Sequence, residues 1–182
     1  LTEENTRWKE YLEELDMSVP GEKEVLEAAG INSGQIYEEV EENEFFARLF
    51  WYLISQDLKI FLLGESREEV EGLRRYLLDT YPGISIAGET ADVADENTSI
   101  DHLVNEINSV SPDVIISGLQ GCRQDQFLLE NRQKINGKIW LSLGEHPNIQ
   151  NEAGLKVSWW STLLKKTTFR RLAARFKERK NE

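Results

Sequence analysis

Asp113-Val-Ile-Ile-Ser-Gly-Leu-Gln-Gly-Cys-Arg-Gln-Asp-Gln-Phe127 decides how the rest of the chain is read. Val114, Ile115 and Ile116 form an apolar, β-branched run, which predicts a strand buried on both faces. Gly118 and Gly121 punctuate its exit, and a helical pattern follows through Phe127, Leu128 and Ile135. A strand, a glycine-bearing turn and a helix start make a site geometry, because unpaired N–H groups at the helix N-terminus can receive an anion. Arg123 falls in that first turn, where a cation opposes the helix dipole at a cost of roughly 0.3–1 kcal/mol when exposed. Either a ligand phosphate or the neighbouring acid Asp125 accounts for it.

The flanking sequence repeats the same strand–turn–helix unit. Lys59-Ile-Phe-Leu-Leu-Gly64 predicts a buried strand, with Ser66 as the cap of a helix whose apolar face is Val70, Leu73, Leu77 and Leu78. Tyr81-Pro-Gly83 stops that helix, and Ile84-Ser-Ile-Ala-Gly88 predicts a second strand. A polar loop over 89–98 leads to a helix carrying Ile100, Leu103, Val104 and Ile107, which Ser111-Pro112 ends. After the helix that runs to about Ile135, Asn136-Gly137 turns into a fourth strand over 138–143. Strands and helices alternating through short loops predict an α/β fold: a Rossmann-like parallel sheet flanked by helices, with right-handed crossovers. Ligands of such sheets bind beyond the carboxyl ends of the strands, which selects the loops 64–67, 88–99, 118–124 and 143–155.

Both ends of the chain differ from this core. Residues 1–57 read as a helical N-terminal segment: Trp8, Leu12 and Leu15 at helical spacing with Thr2 or Thr6 as cap, then Val25, Leu26 and Ala29 closed by Gly30. A short helix follows through Ile36 and Val40, and a longer one through Phe45, Leu49, Phe50, Leu53 and Ile54. The aromatic density at Phe45–Tyr52 fits a helix packed on the sheet, with a hydrophobic interface as the other reading. Residues 58–155 form the α/β core, and 156–182 a basic amphipathic C-terminal helix. In that tail Phe169, Leu172, Ala173 and Phe176 share one helical face, surrounded by Arg170, Arg171, Arg175, Lys177 and Arg179.

Of the 182 residues 40% are hydrophobic and 30% charged, the balance of a folded globular chain, and no apolar run reaches the roughly 18–20 residues of a membrane span. The start is acidic and lacks a basic n-region, so no signal peptide is expected. A single cysteine, Cys122, excludes an internal disulfide and zinc-ribbon spacing, and points to a reducing cytoplasm. The net charge of -12 is unevenly divided: residues 156–182 carry nine Lys/Arg against two acids, residues 1–155 twelve against thirty-one. An acidic body argues against a general nucleic-acid surface. The basic tail calls for an acidic partner: an anionic membrane face met also by Trp159 and Trp160, a phosphate, or the protein's own body.

Motifs with independent chemistry are few. Walker A, GxGxxG after a strand, HExxH and Gly-x-Ser-x-Gly do not occur in the sequence. Asp92, Asp95 and Glu96 share a polar loop without matching ligands elsewhere, so a solvated loop is the reading and no metal is expected. His146, just past the fourth strand, stands where a general acid or base works, although a loop histidine beside proline more often serves structure. His102 lies on a predicted helix and reads as solvated. Cys122, beside Arg123 at a helix start, has the setting for a lowered thiol pKa but no histidine nearby in sequence.

The order of these landmarks resembles the WecG/TagA/CpsF family of bacterial glycosyltransferases. Ile60-Phe-Leu-Leu-Gly64 is similar to the family's strand ending in Leu-Gly-Gly, and Tyr81-Pro-Gly83, Ile86-Ala-Gly88 and Ser111-Pro-Asp113 follow its later landmarks in order. The signature Gly-x-Gly-x-Pro-Lys/Arg-Gln-Glu reads here Gly118-Leu-Gln-Gly-Cys-Arg-Gln-Asp125, with Asn131 at the family's asparagine. Ala153-Gly154-Leu-Lys156 and the arginine-rich tail fit the last third, so the resemblance is firm over 59–156. It implies transfer of N-acetylmannosamine or a related sugar from a UDP donor to a lipid-diphosphate-linked acceptor, in cell-surface polysaccharide or teichoic acid synthesis at the inner membrane face. It also implies donor contacts from Gly64, Gly118, Arg123, Gln124 and Asp125, and membrane contact through the tail; a homo-oligomer stays open.

The chain departs from the pattern in several places. Gln120 replaces the second glycine of the signature, Cys122 its proline and Asp125 its glutamate; Gly144-Glu-His-Pro-Asn148 and Ser158-Trp-Trp160 replace later motifs. The family's catalytic aspartate precedes the first matched strand and finds no counterpart in 1–57. His146 and Asp125 are the remaining candidates for a base. The alternative function is a binding relative that holds a nucleotide sugar or a protein without transfer.

Overall fold

The computed structural model describes residues 13–91, 99–119 and 122–143, with the side chains of Cys122, Arg123 and Asp125 left out. Among the described residues three helices lie between residue 20 and the first strand: α1 (Lys23–Ala28), α2 (Gly34–Glu41) and α3 (Glu44–Ser55). The core then alternates as β1 (Lys59–Leu63), α4 (Arg67–Thr80), β2 (Ser85–Thr90), α5 (Ile100–Ser109), β3 (Val114–Ser117), α6 (Cys122–Asn131) and β4 (Ile139–Ser142). All three strand pairings are parallel, in the order β2-β1-β3-β4. This is the α/β, Rossmann-like sheet that the alternation predicts.

Local chemistry sets the element ends. Serine hydroxyls cap three helices: Ser33 accepts from the Ile36 amide, Ser66 from Glu69 and Ser99 from His102. Each satisfies one of the N–H groups that a helix start leaves without an internal partner. Gly30 follows α1 at φ +79°, the left-handed conformation that ends a helix, and the Ile31 amide reaches back to Leu26 O. Asp57 repeats the device after α3, at φ 53° with Leu58 donating to Leu53 O.

Two ends differ from expectation. The helix after β3 stops at Asn131 rather than near Ile135, because the Asn131 side chain donates to Phe127 O and the backbone turns there. Ile135 still packs against the core, from the turn rather than from a helix. Strand β2 extends through Glu89 and Thr90, which pair with Leu62 and Leu63 of β1. Strand length here follows the partner strand and not β2's own polar residues.

The sheet carries helices on both faces. On one, α3 and α4 bring Phe46, Phe50, Leu73 and Leu77 against Ile60, Leu62, Val114 and Ile116. On the other, α5 and α6 bring Leu103, Ile107 and Phe127 against Phe61, Leu63 and Ile115. Successive residues of β1 and β3 thus point to opposite cores, so both read as unbroken apolar runs. The aromatic helix is confirmed as a helix packed on the sheet: Phe46 and Phe50 are buried, and the Phe50 ring meets Tyr81 at 4.9 Å between centroids. Trp51 and Tyr52 stay exposed, the Trp51 ring meeting Tyr81 edge-on at the rim of the core. Among the described residues no helix is long and apolar enough to cross a membrane.

Candidate functional site

Strand order narrows the four candidate loops to two. The chain steps from β1 outward to β2, then crosses back over β1 to β3 and continues to β4. The direction reverses between β1 and β3, and a crevice opens outside their carboxyl ends at such a switch point. Its walls are the turn after Leu63 and the turn after Ser117. The ladder runs one residue past both strands: Gly118 N–H donates to Leu63 O at 2.8 Å, and Gly64 N–H to Thr90 O at 3.2 Å. Both predicted glycines therefore flank the switch point side by side.

The two glycines answer to different constraints. A Cβ on Gly64 would fall 2.6 Å from Val70 Cγ2, so packing of α4 against the strand end already requires its smallness. A Cβ on Gly118 would meet nothing nearer than Leu63 O at 3.6 Å, an ordinary contact. Buried Ser117 completes the turn, its hydroxyl accepting from Leu119 N–H at 3.4 Å.

Two helix N-termini reach the switch point, and their chemistry differs. The start of α4 is filled by its own chain. Ser66 accepts from the Glu69 amide, the Ser66 amide returns a hydrogen bond to the Glu69 carboxyl, and Glu68 adds a second acid in the first turn. This reciprocal cap satisfies two of the donors that an anion would otherwise use. Burial pushes the Glu69 carboxyl above the ordinary carboxylate range, the charge of Glu65 adds to the rise, and the Ser66 and Glu65 amides oppose it. An incoming phosphate would meet acids at this end.

The start of α6 holds the signature residues. Arg123, Gln124 and Asp125 are consecutive in its first turn. Gln124 is 6% exposed, and its Oε1 is a buried acceptor without a hydrogen-bond partner among the described residues. The second buried amide of the helix, Asn131, is 2% exposed and fully engaged: Nδ2 donates to Phe127 O at 3.0 Å, and Oδ1 accepts from Lys134 Nζ. Leaving a buried acceptor unmatched costs about 1–3 kcal/mol. Asn131 serves the helix end; the Gln124 acceptor has no such internal use.

Several other sequence expectations lie outside the described residues: His146, Asp92, Asp95, Glu96, and the tail residues Trp159, Trp160, Arg170, Arg171 and Arg175. Among the described residues no group of three His, Cys, Asp or Glu is placed to hold a metal ion. His102 is exposed on α5, as its helical position implied. Sequence reasoning passed over the acidic pair Glu65 and Glu69, although Ser66-x-x-Glu69 is the spacing of a reciprocal helix cap.

A family model described as the glycosyl transferase WecG/TagA/CpsF family matches residues 1–172. The match takes in the helical N-terminal segment as well as the α/β core, and so extends the resemblance well before residue 59. No curated protein matches the chain.

Proposed function

The chain belongs to the WecG/TagA/CpsF family of glycosyltransferases, and from that premise we propose that it takes a UDP-sugar at the β1/β3 switch point. The carrying observation is the buried Oε1 of Gln124 in the first turn of α6, which has no partner among the described residues. An acceptor held dry and unsatisfied is matched by a ligand that supplies an N–H or O–H there. The diphosphate lies toward the α6 N-terminus, where backbone N–H groups, the helix dipole and Arg123 favour negative charge. The acid-filled start of α4 disfavours the other helix.

In the reaction the acceptor hydroxyl oxygen attacks the anomeric carbon and the bond from that carbon to the diphosphate breaks. UDP leaves with the extra negative charge, and a base takes the hydroxyl proton. Arg123 and the α6 amides stabilise the charge as it develops, which lowers the barrier more than ground-state binding does. His146 and Asp125 are our candidates for the base. The sugar is N-acetylmannosamine or a related one, and the acceptor a lipid-diphosphate-linked sugar.

A second reading is favoured by the altered signature, with Gln120 for its second glycine and Cys122 for its proline: a relative that binds the donor without transfer. Calorimetric titration with UDP and with UDP-N-acetylmannosamine, on the wild type and Arg123→Ala, tests the pocket. Micromolar binding that the substitution weakens is expected, and no binding of either ligand by the folded protein rejects both readings. Product formation with a lipid-diphosphate acceptor then separates the enzyme from the binder.

A further inference from the structure

On the side of the molecule covered by α3, an open groove of about 530 Å³ runs between Val19–Pro20, α2 and α3. Ile36, Val40, Phe45 and Leu49 make its wall apolar; Glu39 and Glu44 stand among them with one cation, Arg48, which pairs with Glu44. Ile36 and the bordering Tyr52 are 38% and 56% exposed. From Glu22 to Arg48 the surrounding sequence carries eight glutamates against Lys23 and Arg48. An apolar slot in so acidic a surface suits a segment that is apolar on one face and basic on the rest.

The chain itself contains such a segment. Residues 156–182 carry nine Lys/Arg against two acids, and Phe169, Leu172, Ala173 and Phe176 recur at helical spacing. The exit point agrees. Leu143, the last described residue, packs in the same core cluster as Phe46 and Phe50 of α3, so the chain leaves on the side of the sheet where the groove opens. The stretch from Leu143 to Phe169 spans up to roughly 80 Å when extended, so reach is no constraint. Charge does not draw in the first twelve residues, with Glu3, Glu4 and Glu10 against Arg7 and Lys9. It also opposes the acidic body of a second copy.

We propose that this groove is the docking site of the chain's own C-terminal segment, with Phe169, Leu172 and Phe176 on the apolar wall and the neighbouring arginines beside Glu39 and Glu44. The inference concerns a surface apart from the donor crevice, and does not depend on whether the protein transfers sugar.

Photo-cross-linking of the full chain tests it. With Tyr52→p-benzoylphenylalanine at low micromolar protein, irradiation should yield cross-links within one molecule to peptides from 165–180. The same probe at exposed Asp79 on α4 should give none. Glu39→Lys with Glu44→Lys should lower the Tyr52 yield severalfold, as should 1 M salt, where charges are screened within about 3 Å. Carbodiimide coupling of the unmodified chain, expected to join Glu39 or Glu44 to Lys165, Lys166 or Lys177, covers the case in which the Tyr52 variant does not fold. Cross-links between two molecules, equal labelling from Asp79, or yields indifferent to the charge reversal would overturn the proposal. So would a tail that cross-links nowhere on the protein while the chain floats with phosphatidylglycerol vesicles, which would assign it to a membrane.

Discussion

Gln124 and Asn131 sit two turns apart on α6, both amides and both buried, yet among the described residues only Asn131 has its acceptor satisfied. Replacing Gln124 by Met removes the orphan acceptor at nearly constant volume. Gln124→Met is expected to raise the melting temperature of the ligand-free protein, by the equivalent of about 1–3 kcal/mol. The same change should weaken UDP binding about tenfold or more, a loss of some 1.4 kcal/mol. A variant that melts lower and binds UDP as before would show that the amide serves the fold. Sequence pattern placed Gln124 in the first turn of α6 through its resemblance to a family signature; the missing partner becomes visible only once the buried neighbours are placed.

Two carboxyls titrate in opposite senses. The Asp113 carboxylate accepts from Lys138 Nζ at 2.7 Å and from the Lys59 amide at 2.9 Å, and these bonds hold its pKa below the ordinary value, the lysine first. A lowered pKa means that its contribution is present above the usual carboxylate range and lost as pH falls through the lowered value. Glu69 is raised, by burial above all, so its contribution is complete in acid and lost as pH rises through the raised value. Melting curves from pH 3 to 7 should therefore show Asp113→Asn costing stability near neutrality and little in strong acid. Glu69→Gln, which keeps an acceptor for the Ser66 amide, should gain near neutrality and little in acid. Parallel curves for either variant and the wild type would contradict the assignment.

At the scale of elements, the Gly64–Val70 contact joins the end of β1 to the first turn of α4. Gly64→Ala should destabilise by about 1–3 kcal/mol, the usual cost of forcing a methyl into a packed site. Val70→Ala, placed on top, should recover part of that loss in a double-mutant cycle by chemical denaturation. Strict additivity would mean that the clash relaxes elsewhere. Here the sequence was informative because each element has a local signature: β-branched runs for β1 and β3, serine caps, and Tyr81-Pro-Gly83 as a stop. The misjudged ends, at Asn131 and Thr90, were set by a side chain folding back and by a partner strand's length. Local pattern contains neither.

Across the whole molecule, the order β2-β1-β3-β4 narrows the candidate site to the switch point between β1 and β3, whereas alternation alone left four loops open. Pairing order is a property of distant segments, and periodicity does not record it. The order also predicts how stability is distributed. β1 and β3 pair on both sides and are buried along nearly their whole length, while α1 buries only Leu26 and α2 no residue at all. Native-state hydrogen exchange should find amides of β1 and β3 opening only with global unfolding, and those of α1 and α2 exchanging through local opening at far lower free energy. Equal protection in α2 and β3 would refute this layering.

The same central position of β1 has a consequence during synthesis. Ile60 and Lys59 find partners at Val114 and Asp113, 54 residues later. A nascent chain that has emerged only as far as α5 can pair β1 with β2 but leaves β1's other edge unpaired, beside the apolar side chains of Phe61 and Leu63. At roughly 5–20 residues per second, that edge waits several seconds for β3 to leave the ribosome. For that interval the strand that becomes the most protected in the finished protein is its most vulnerable, and the chain depends on its neighbours in the cell to leave it alone.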